Sequence, residues 1–178
     1  MSPRPFRIGR SRTGLGLFAT EPIRKGKFIV EYRGRKLSNE AAERLEAKGA
    51  RYMYELNSRW TLDGSSRRNI ARYANHSCRP NAESDVVRGR VIIRAIRNIQ
   101  PGDEITYDYG RDYFKNVLME IGGCKCVKCL EKAREERRAR RLSNLRRQRR
   151  AERAAAALKK DVKRRSPQVK QRKTRKKG

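Results

Sequence analysis

Residues 131–178 hold 22 Lys and Arg against 5 Asp and Glu, and their few apolar side chains, chiefly Leu142, Leu145 and Leu158, cannot cover one face of a helix. Ordering a residue costs roughly 1–2 kcal/mol of backbone entropy, and burial of apolar surface is the main force that offsets it. Any core this protein builds must therefore come from residues 1–130, enough for one modest domain carrying a basic appendage. Helix formers run through residues 131–165, with Ala154, Ala155, Ala156 and Ala157 in succession and Glu136 four residues before Arg140. With so little to bury, that segment is expected to be an exposed or frayed helix. Residues 166–178, with Pro167 and a run of Lys and Arg, are expected to be disordered.

The formal net charge of +29 attracts polyanions over long range. Phosphates neutralised by Lys or Arg release counterions, so non-specific nucleic-acid contact through the tail is expected; a solubilising tail is the alternative. No apolar run approaches the ~20 residues needed to span a bilayer, and residues 1–10 lack the apolar stretch of a secretory signal. The expected location is intracellular, in the nucleus on chromatin in a eukaryote or in the cytoplasm and nucleoid in a bacterium. Thiols stay reduced there, so the four cysteines favour metal or chemistry over disulfides.

The body reads as short strands punctuated by Gly, Pro, Asn and Asp. Residues 28–32 follow the turn Arg24-Lys25-Gly26, and residues 52–56 and 60–62 flank Asn57-Ser58-Arg59 as a hairpin. Val86-Val87 and residues 91–93 flank Arg88-Gly89-Arg90 as another, and residues 105–109 follow Pro101-Gly102-Asp103. One helix stands out, over residues 39–48, capped by Ser38 or Asn39 and stopped at Gly49. The pattern is that of a mostly β domain without βαβ alternation.

Three segments carry chemistry. In Thr13-Gly14-Leu15-Gly16-Leu17-Phe18-Ala19, two glycines let the backbone pass close to a ligand; a plain tight turn is the simpler reading. Arg72-Tyr73-Ala74-Asn75-His76-Ser77-Cys78-Arg79-Pro80-Asn81 holds the chain's sole histidine. A Cys/His nucleophilic pair is conceivable there, although residues two apart often point to opposite sides; a structural turn is the other reading. Cys124-Lys125-Cys126-Val127-Lys128-Cys129 brings three thiols together, and Cys78 would complete the four ligands zinc prefers. A redox pair at Cys126 and Cys129 is the competing reading.

Taken in order, these segments resemble the SET-domain lysine methyltransferases with a post-SET cysteine segment. The resemblance covers residues 6–130: Gly14-Leu15-Gly16 is similar to the family's opening Gly-x-Gly, residues 28–34 to the strand after it, residues 69–81 to its Asn-His-Ser-Cys-x-Pro-Asn signature, and Gly102-Asp103-Glu104-Ile105-Thr106-Tyr107-Asp108-Tyr109-Gly110 to its closing motif. It implies a SET domain over residues 1–116, a post-SET zinc-binding segment over 117–130 and a basic tail over 131–178. The implied fold is several small β-sheets with a knot-like closing segment.

The resemblance also implies an activity: methyl transfer from S-adenosylmethionine to a lysine side chain of a protein substrate, such as a histone or a nucleoid protein. An inactive SET-like body on a nucleic-acid-binding protein is the alternative. By position, Gly14, Leu15, Gly16, Tyr52, Arg72, Asn75 and His76 would line the cofactor side. Tyr109 would be the active-site tyrosine, with Tyr52 beside it. Tyr107 would influence how many methyl groups are added, mono- or dimethylation being favoured. Cys78, Cys124, Cys126 and Cys129 would bind one structural zinc. Asp63 is expected in a turn, with Arg68 or Arg72 as the competing partner, and Trp60 in the core. The spacing Cys-x-Cys-x-x-Cys is shorter than the family's common Cys-x-Cys-x4-Cys, and no cysteine-rich segment is expected ahead of the domain.

Overall fold

The computed structural model describes residues 4–165, in two units that meet between Glu131 and Lys132. The disorder expected of residues 166–178 lies outside the described residues. In chain order the first unit contains β1 (Phe6–Ser11), β2 (Gly14–Ala19), β3 (Phe28–Tyr32), β4 (Arg35–Ser38), α1 (Asn39–Glu46), β5 (Met53–Asn57) and β6 (Trp60–Asp63). A 3-10 turn (Ile70–Tyr73), β7 (Asn75–His76), β8 (Ala82–Val87), β9 (Arg90–Ala95) and β10 (Glu104–Tyr107) follow. A short α2 (Arg111–Tyr113) then runs into a π-turn (Phe114–Leu118).

The strands form three small sheets, ordered β1-β2-β10-β7, β3-β9-β8 and β4-β6-β5. This is the β-rich architecture anticipated from the turn-punctuated sequence. The apolar strand positions converge on one core, in which Leu17, Val91, Ile93, Ile99 and Ile105 are fully buried. Each such side chain contributes roughly 1.5–3 kcal/mol relative to an exposed one.

The closing segment is held centrally. Strand β10 lies between β2, to which it is antiparallel, and β7, to which it is parallel. Asn81 fixes it there: the buried amide donates to the Glu104 carbonyl (2.9 Å) and accepts from the Thr106 N–H (2.9 Å). Its own N–H donates to the Thr106 carbonyl (3.2 Å). A residue that the sequence marked only as part of a signature thus serves as a clamp on the strand carrying Tyr107.

Helix α1 forms where Ala, Glu and Leu suggest it. Ser38 Oγ caps it by accepting from the Ala41 N–H, and Ala42 is its buried residue. Several expectations are corrected. Trp60 is 38% exposed and not in the core; Lys36 Nζ sits 4.3 Å from its ring centroid. Asp63 is the last residue of strand β6 and not in a turn; its carboxylate accepts from the Ser65 N–H, and its nearby cation is the cross-strand Arg35 (3.7 Å). Strands β4 and β7 escaped detection because they are short, and β1 because Arg7, Gly9, Arg10 and Ser11 break up its apolar pattern. The helical turns over residues 111–118 lack both a side-chain cap and a buried residue to announce them.

Helix α3 (Val127–Arg165) begins four residues earlier than composition suggests. In the second unit its leucines stay in solvent, with Leu142 48%, Leu145 43% and Leu158 70% exposed. Among the described residues its ion pair is Lys132–Glu136 (3.9 Å), not the expected Glu136–Arg140. No helix of the described residues is long and apolar enough to cross a membrane.

Candidate functional site

A cavity of about 1270 Å³ opens in the first unit, lined by Leu15, Tyr52, Arg72, Asn75, His76, Tyr109, Tyr113 and Leu118 among others. The glycine segment reaches it as strand β2, entered from the turn Arg12-Thr13, and so is more than the plain turn of the simpler reading. Gly14 has φ +118°, a conformation L side chains rarely adopt, and a Cβ on Gly16 would lie 2.5 Å from Glu104 Oε1. That close approach matters because Glu104 holds Asn75.

The Asn75 amide nitrogen donates both its hydrogens, to the Leu15 carbonyl (3.0 Å) and to Glu104 Oε1 (2.7 Å). Both partners are pure acceptors, so the amide has one orientation, with Oδ1 left as an acceptor at the cavity wall. Arg72 stacks its guanidinium 3.9 Å from the Tyr52 centroid and donates from Nη1 to the Ser65 carbonyl. Its Nε is buried without a partner among the described residues. A polar ligand oxygen would satisfy that orphaned donor.

Tyr109 sits at the meeting point of an aromatic cluster. Its ring centroid is 4.8 Å from Tyr107, 5.4 Å from His76 and 5.2 Å from Tyr113, edge-on to the last. The phenol donates its proton to the Ala74 carbonyl (2.8 Å), leaving the oxygen lone pairs as acceptors. Burial, and then the neighbouring Tyr113, push its pKa far above the ordinary tyrosine value. Tyr107, in the core at 6% exposure, is likewise pushed up by burial and by Tyr109. Both are neutral phenols at physiological pH, so Tyr109 can orient and accept a hydrogen bond but does not serve as a base. Tyr113, whose hydroxyl donates to the Arg51 carbonyl (2.8 Å), and Phe114, 5.6 Å from His76, complete the wall. Neither was anticipated.

His76 is nearly enclosed, its side chain 5% exposed. The backbone N–H of Tyr109 donates to Nδ1 (3.2 Å), and Nε2 lies 3.4 Å from Cys78 Sγ. Burial lowers its pKa against the opposing pull of Asp108, leaving a neutral imidazole. The His76 and Cys78 side chains therefore do meet, contrary to expectation, because extended backbone at the end of β7 puts residues i and i+2 on one face. Cys78 Sγ, however, lies 3.9 Å from Cys124 Sγ and 3.6 Å from Cys129 Sγ. It belongs to a thiol cluster and does not face the cavity as a nucleophile.

All four sulfurs, of Cys78, Cys124, Cys126 and Cys129, lie within 4.8 Å of one another. A tetrahedral zinc with bonds of about 2.3 Å separates its sulfurs by about 3.8 Å, so the set closes on that ion with shifts of about 1 Å or less. Burial and the surrounding thiols push Cys78 up, a penalty a bound cation reverses. The short Cys126–Cys129 spacing works because α3 starts at Val127 and its first turn returns Cys129 to the cluster. The Cys126 N–H also donates to Cys124 Sγ (3.4 Å).

The SET domain family model matches residues 14–110, more than half of the chain. The chain belongs to the SET-domain family. Over 117 residues, 60% of the chain, it is 33% identical to a Neurospora crassa histone-lysine N-methyltransferase described as H3 lysine-4 specific. It is 38% identical over the same length to histone-lysine N-methyltransferase 2D of Homo sapiens. The matched part is 9% of the first relative and 2% of the second. Among solved structures, the SET domain resembles Chaetomium thermophilum polycomb repressive complex 2 in an autoinhibited conformation bound to S-adenosylmethionine. That match has a TM-score of 0.56 and 28% identity, and covers 67% of this chain and 17% of that one.

Proposed function

We propose that the protein transfers a methyl group from S-adenosylmethionine to the side-chain amine of a lysine in a protein substrate. The observation that carries this reading is the neutral Tyr109 phenol, its proton committed to the Ala74 carbonyl and its lone pairs free at the wall of the cavity. The relatives' histone-lysine methyltransferase names and the S-adenosylmethionine bound in a structural neighbour support it.

S-adenosylmethionine supplies an electrophilic methyl group on a sulfonium, a good leaving group. The protein's part is to align the amine and exclude water. The bond from lysine nitrogen to methyl carbon forms as the carbon–sulfur bond breaks, and the electron pair leaves on sulfur as a thioether. The amine must therefore arrive neutral. The burial that keeps Tyr107 and Tyr109 protonated also disfavours an ammonium beside them, lowering a lysine from its ordinary ~10.4. Tyr109 then accepts an N–H of that amine and points its lone pair.

On the cofactor side, Asn75 Oδ1, the Arg72 Nε–H, the Tyr52 ring and the backbone at Gly14, Leu15 and Gly16 are the groups assigned to binding. His76 closes the wall with both ring nitrogens already engaged. Cys78, Cys124, Cys126 and Cys129 would hold one zinc that anchors the segment after Tyr109.

A tyrosine at 107, its ring packed at a tilt against Tyr109, leaves less room than phenylalanine and favours mono- or dimethylation. A histone or another DNA-associated basic protein is the substrate class, and the location is intracellular, on chromatin in a eukaryote. The domain occupies residues 1–116, the zinc segment 117–130 and the basic tail 131–178. The exposed helix of that tail contacts nucleic-acid phosphates without sequence preference. Incubating the zinc-loaded protein with methyl-labelled cofactor and histones, followed by mass spectrometry of the products, tests the activity. DNA binding with no transfer to any protein would instead favour the inactive SET-like body.

A further inference from the structure

We propose that the His76 imidazole is a positioning residue that couples the cysteine cluster to the active-site tyrosine, donating an N–H to Cys78 sulfur from one edge and accepting the Tyr109 backbone N–H at the other. The proton count decides the direction. Tyr109 N–H is a donor, so the Nδ1 it meets at 3.2 Å carries a lone pair, and the ring hydrogen sits on Nε2, 3.4 Å from Cys78 Sγ. The Asp108 carboxylate, 3.6 Å from Nδ1, is beyond hydrogen-bond range and leaves this assignment in place.

Each side of the bridge has a consequence. A thiolate that ligates a cation and accepts an N–H shares its charge with both, which steadies the ligand and weakens its donation to the metal. On the other edge, Tyr109 lies outside β10, which ends at Tyr107, so no strand hydrogen bond fixes its backbone there. The Nδ1 acceptor replaces that bond, and Tyr109 OH to the Ala74 carbonyl sets the ring. A rigid five-membered ring, packed between Tyr109 and Phe114, ties the two ends together. Displacing the metal should therefore loosen Tyr109, although among the described residues Tyr109 has no hydrogen bond to a cysteine. The coupling is a statement about geometry and rests on the methyl-transfer reading only where turnover is measured.

Two substitutions separate the edges. In His76→Gln the side-chain amide can donate near the Nε2 position but offers nothing at Nδ1. In His76→Asn the shorter amide can accept near Nδ1 but cannot reach the sulfur. With cobalt(II) bound in place of zinc, the thiolate-to-cobalt charge-transfer band of His76→Asn should move to lower energy, and its metal should pass to a chelator roughly tenfold faster. The band of His76→Gln should stay near that of the wild type. Hydrogen exchange at the Tyr109 amide, followed by NMR on the zinc-loaded chain, should show the opposite order: accelerated in His76→Gln and protected in His76→Asn. Turnover should fall more in His76→Gln than in His76→Asn, through kcat more than through KM for the cofactor.

Equal effects of the two variants on the cobalt band and on Tyr109 exchange would overturn the bridge and leave His76 as packing alone. No effect of either variant on the cobalt band would overturn the sulfur contact. If the cobalt and exchange results split as expected while the wild type transfers no methyl group, the bridge stands and the activity assignment fails.

Discussion

Replacing Asn81 by alanine isolates the clamp on which the position of β10 depends. The side chain makes two hydrogen bonds to backbone of the same strand, one donated to the Glu104 carbonyl and one accepted from the Thr106 N–H, and it is only 5% exposed. Truncation leaves a part-buried carbonyl and an N–H without partners. An orphaned buried polar group costs about 1–3 kcal/mol, and partial access of water to the new space places the total at about 2–4 kcal/mol. Against a typical domain stability of about 5–15 kcal/mol that is a large fraction. At about 3–5 °C per kcal/mol for a unit of this size, Tm should fall by about 6–20 °C. Urea unfolding of the zinc-loaded chain, followed by the fluorescence of Trp60, the single tryptophan, measures the loss directly. A change below about 0.5 kcal/mol would refute the clamp and show that β2 and β7 hold β10 without help.

Other perturbations address the site. Gly16→Ala places a Cβ against the Glu104 carboxylate, so Glu104 must release the Asn75 amide; S-adenosylmethionine binding, measured by calorimetry, should weaken about tenfold or more, and unchanged affinity would contradict the cofactor-side assignment. Cys78→Ser should lower zinc content well below one ion per chain and raise hydrogen exchange over residues 111–126, while a full zinc complement in the variant would break the four-cysteine assignment. Glu31 is held at about 2 instead of 4.5, chiefly by the Arg90 guanidinium and then Arg33. A depressed carboxylate pKa stabilises the fold above the ordinary value and stops doing so as pH falls through the folded one, so this contribution should disappear between pH 4.5 and about 2. Glu31→Gln should therefore lose less stability than the wild type over that window; equal losses in thermal melts would show the pair to be inert.

Local signals in the sequence were reliable where a local cause sufficed. Strand β3 has the bounds expected from its apolar run after a Gly turn, and α1 starts at the cap its Ser38 suggests. The four cysteines were legible as one metal site because zinc requires four donors and the chain has four. What escaped notice depends on tertiary partners. Tyr113 and Phe114 join the aromatic wall only because a π-turn brings residues 111–118 back across His76 and Tyr109. Glu104 reads as one charge in a turn-to-strand motif until β10 places it against Asn75. Trp60 was misplaced because hydrophobicity says that a tryptophan should be covered, not whether its strand position turns it toward the core. The imidazole's contact with sulfur overturns the expectation that residues two apart point to opposite sides; in extended backbone i and i+2 share a face, and His76 and Cys78 do so at the end of β7.

The central claim is that Tyr109 orients a neutral amine for methyl transfer. The most direct measurement is single-turnover transfer of labelled methyl from S-adenosylmethionine to a histone substrate, by the wild type and by Tyr109→Phe, across pH 7 to 9.5. Wild-type transfer is expected, with Tyr109→Phe about a hundredfold slower or worse, since one preorganised polar contact at the reacting centre is lost. The pH profiles of the two proteins should have the same shape, because the buried phenol stays protonated throughout that range. Equal rates for the two proteins, or a wild-type pH dependence that vanishes in Tyr109→Phe, would contradict the account.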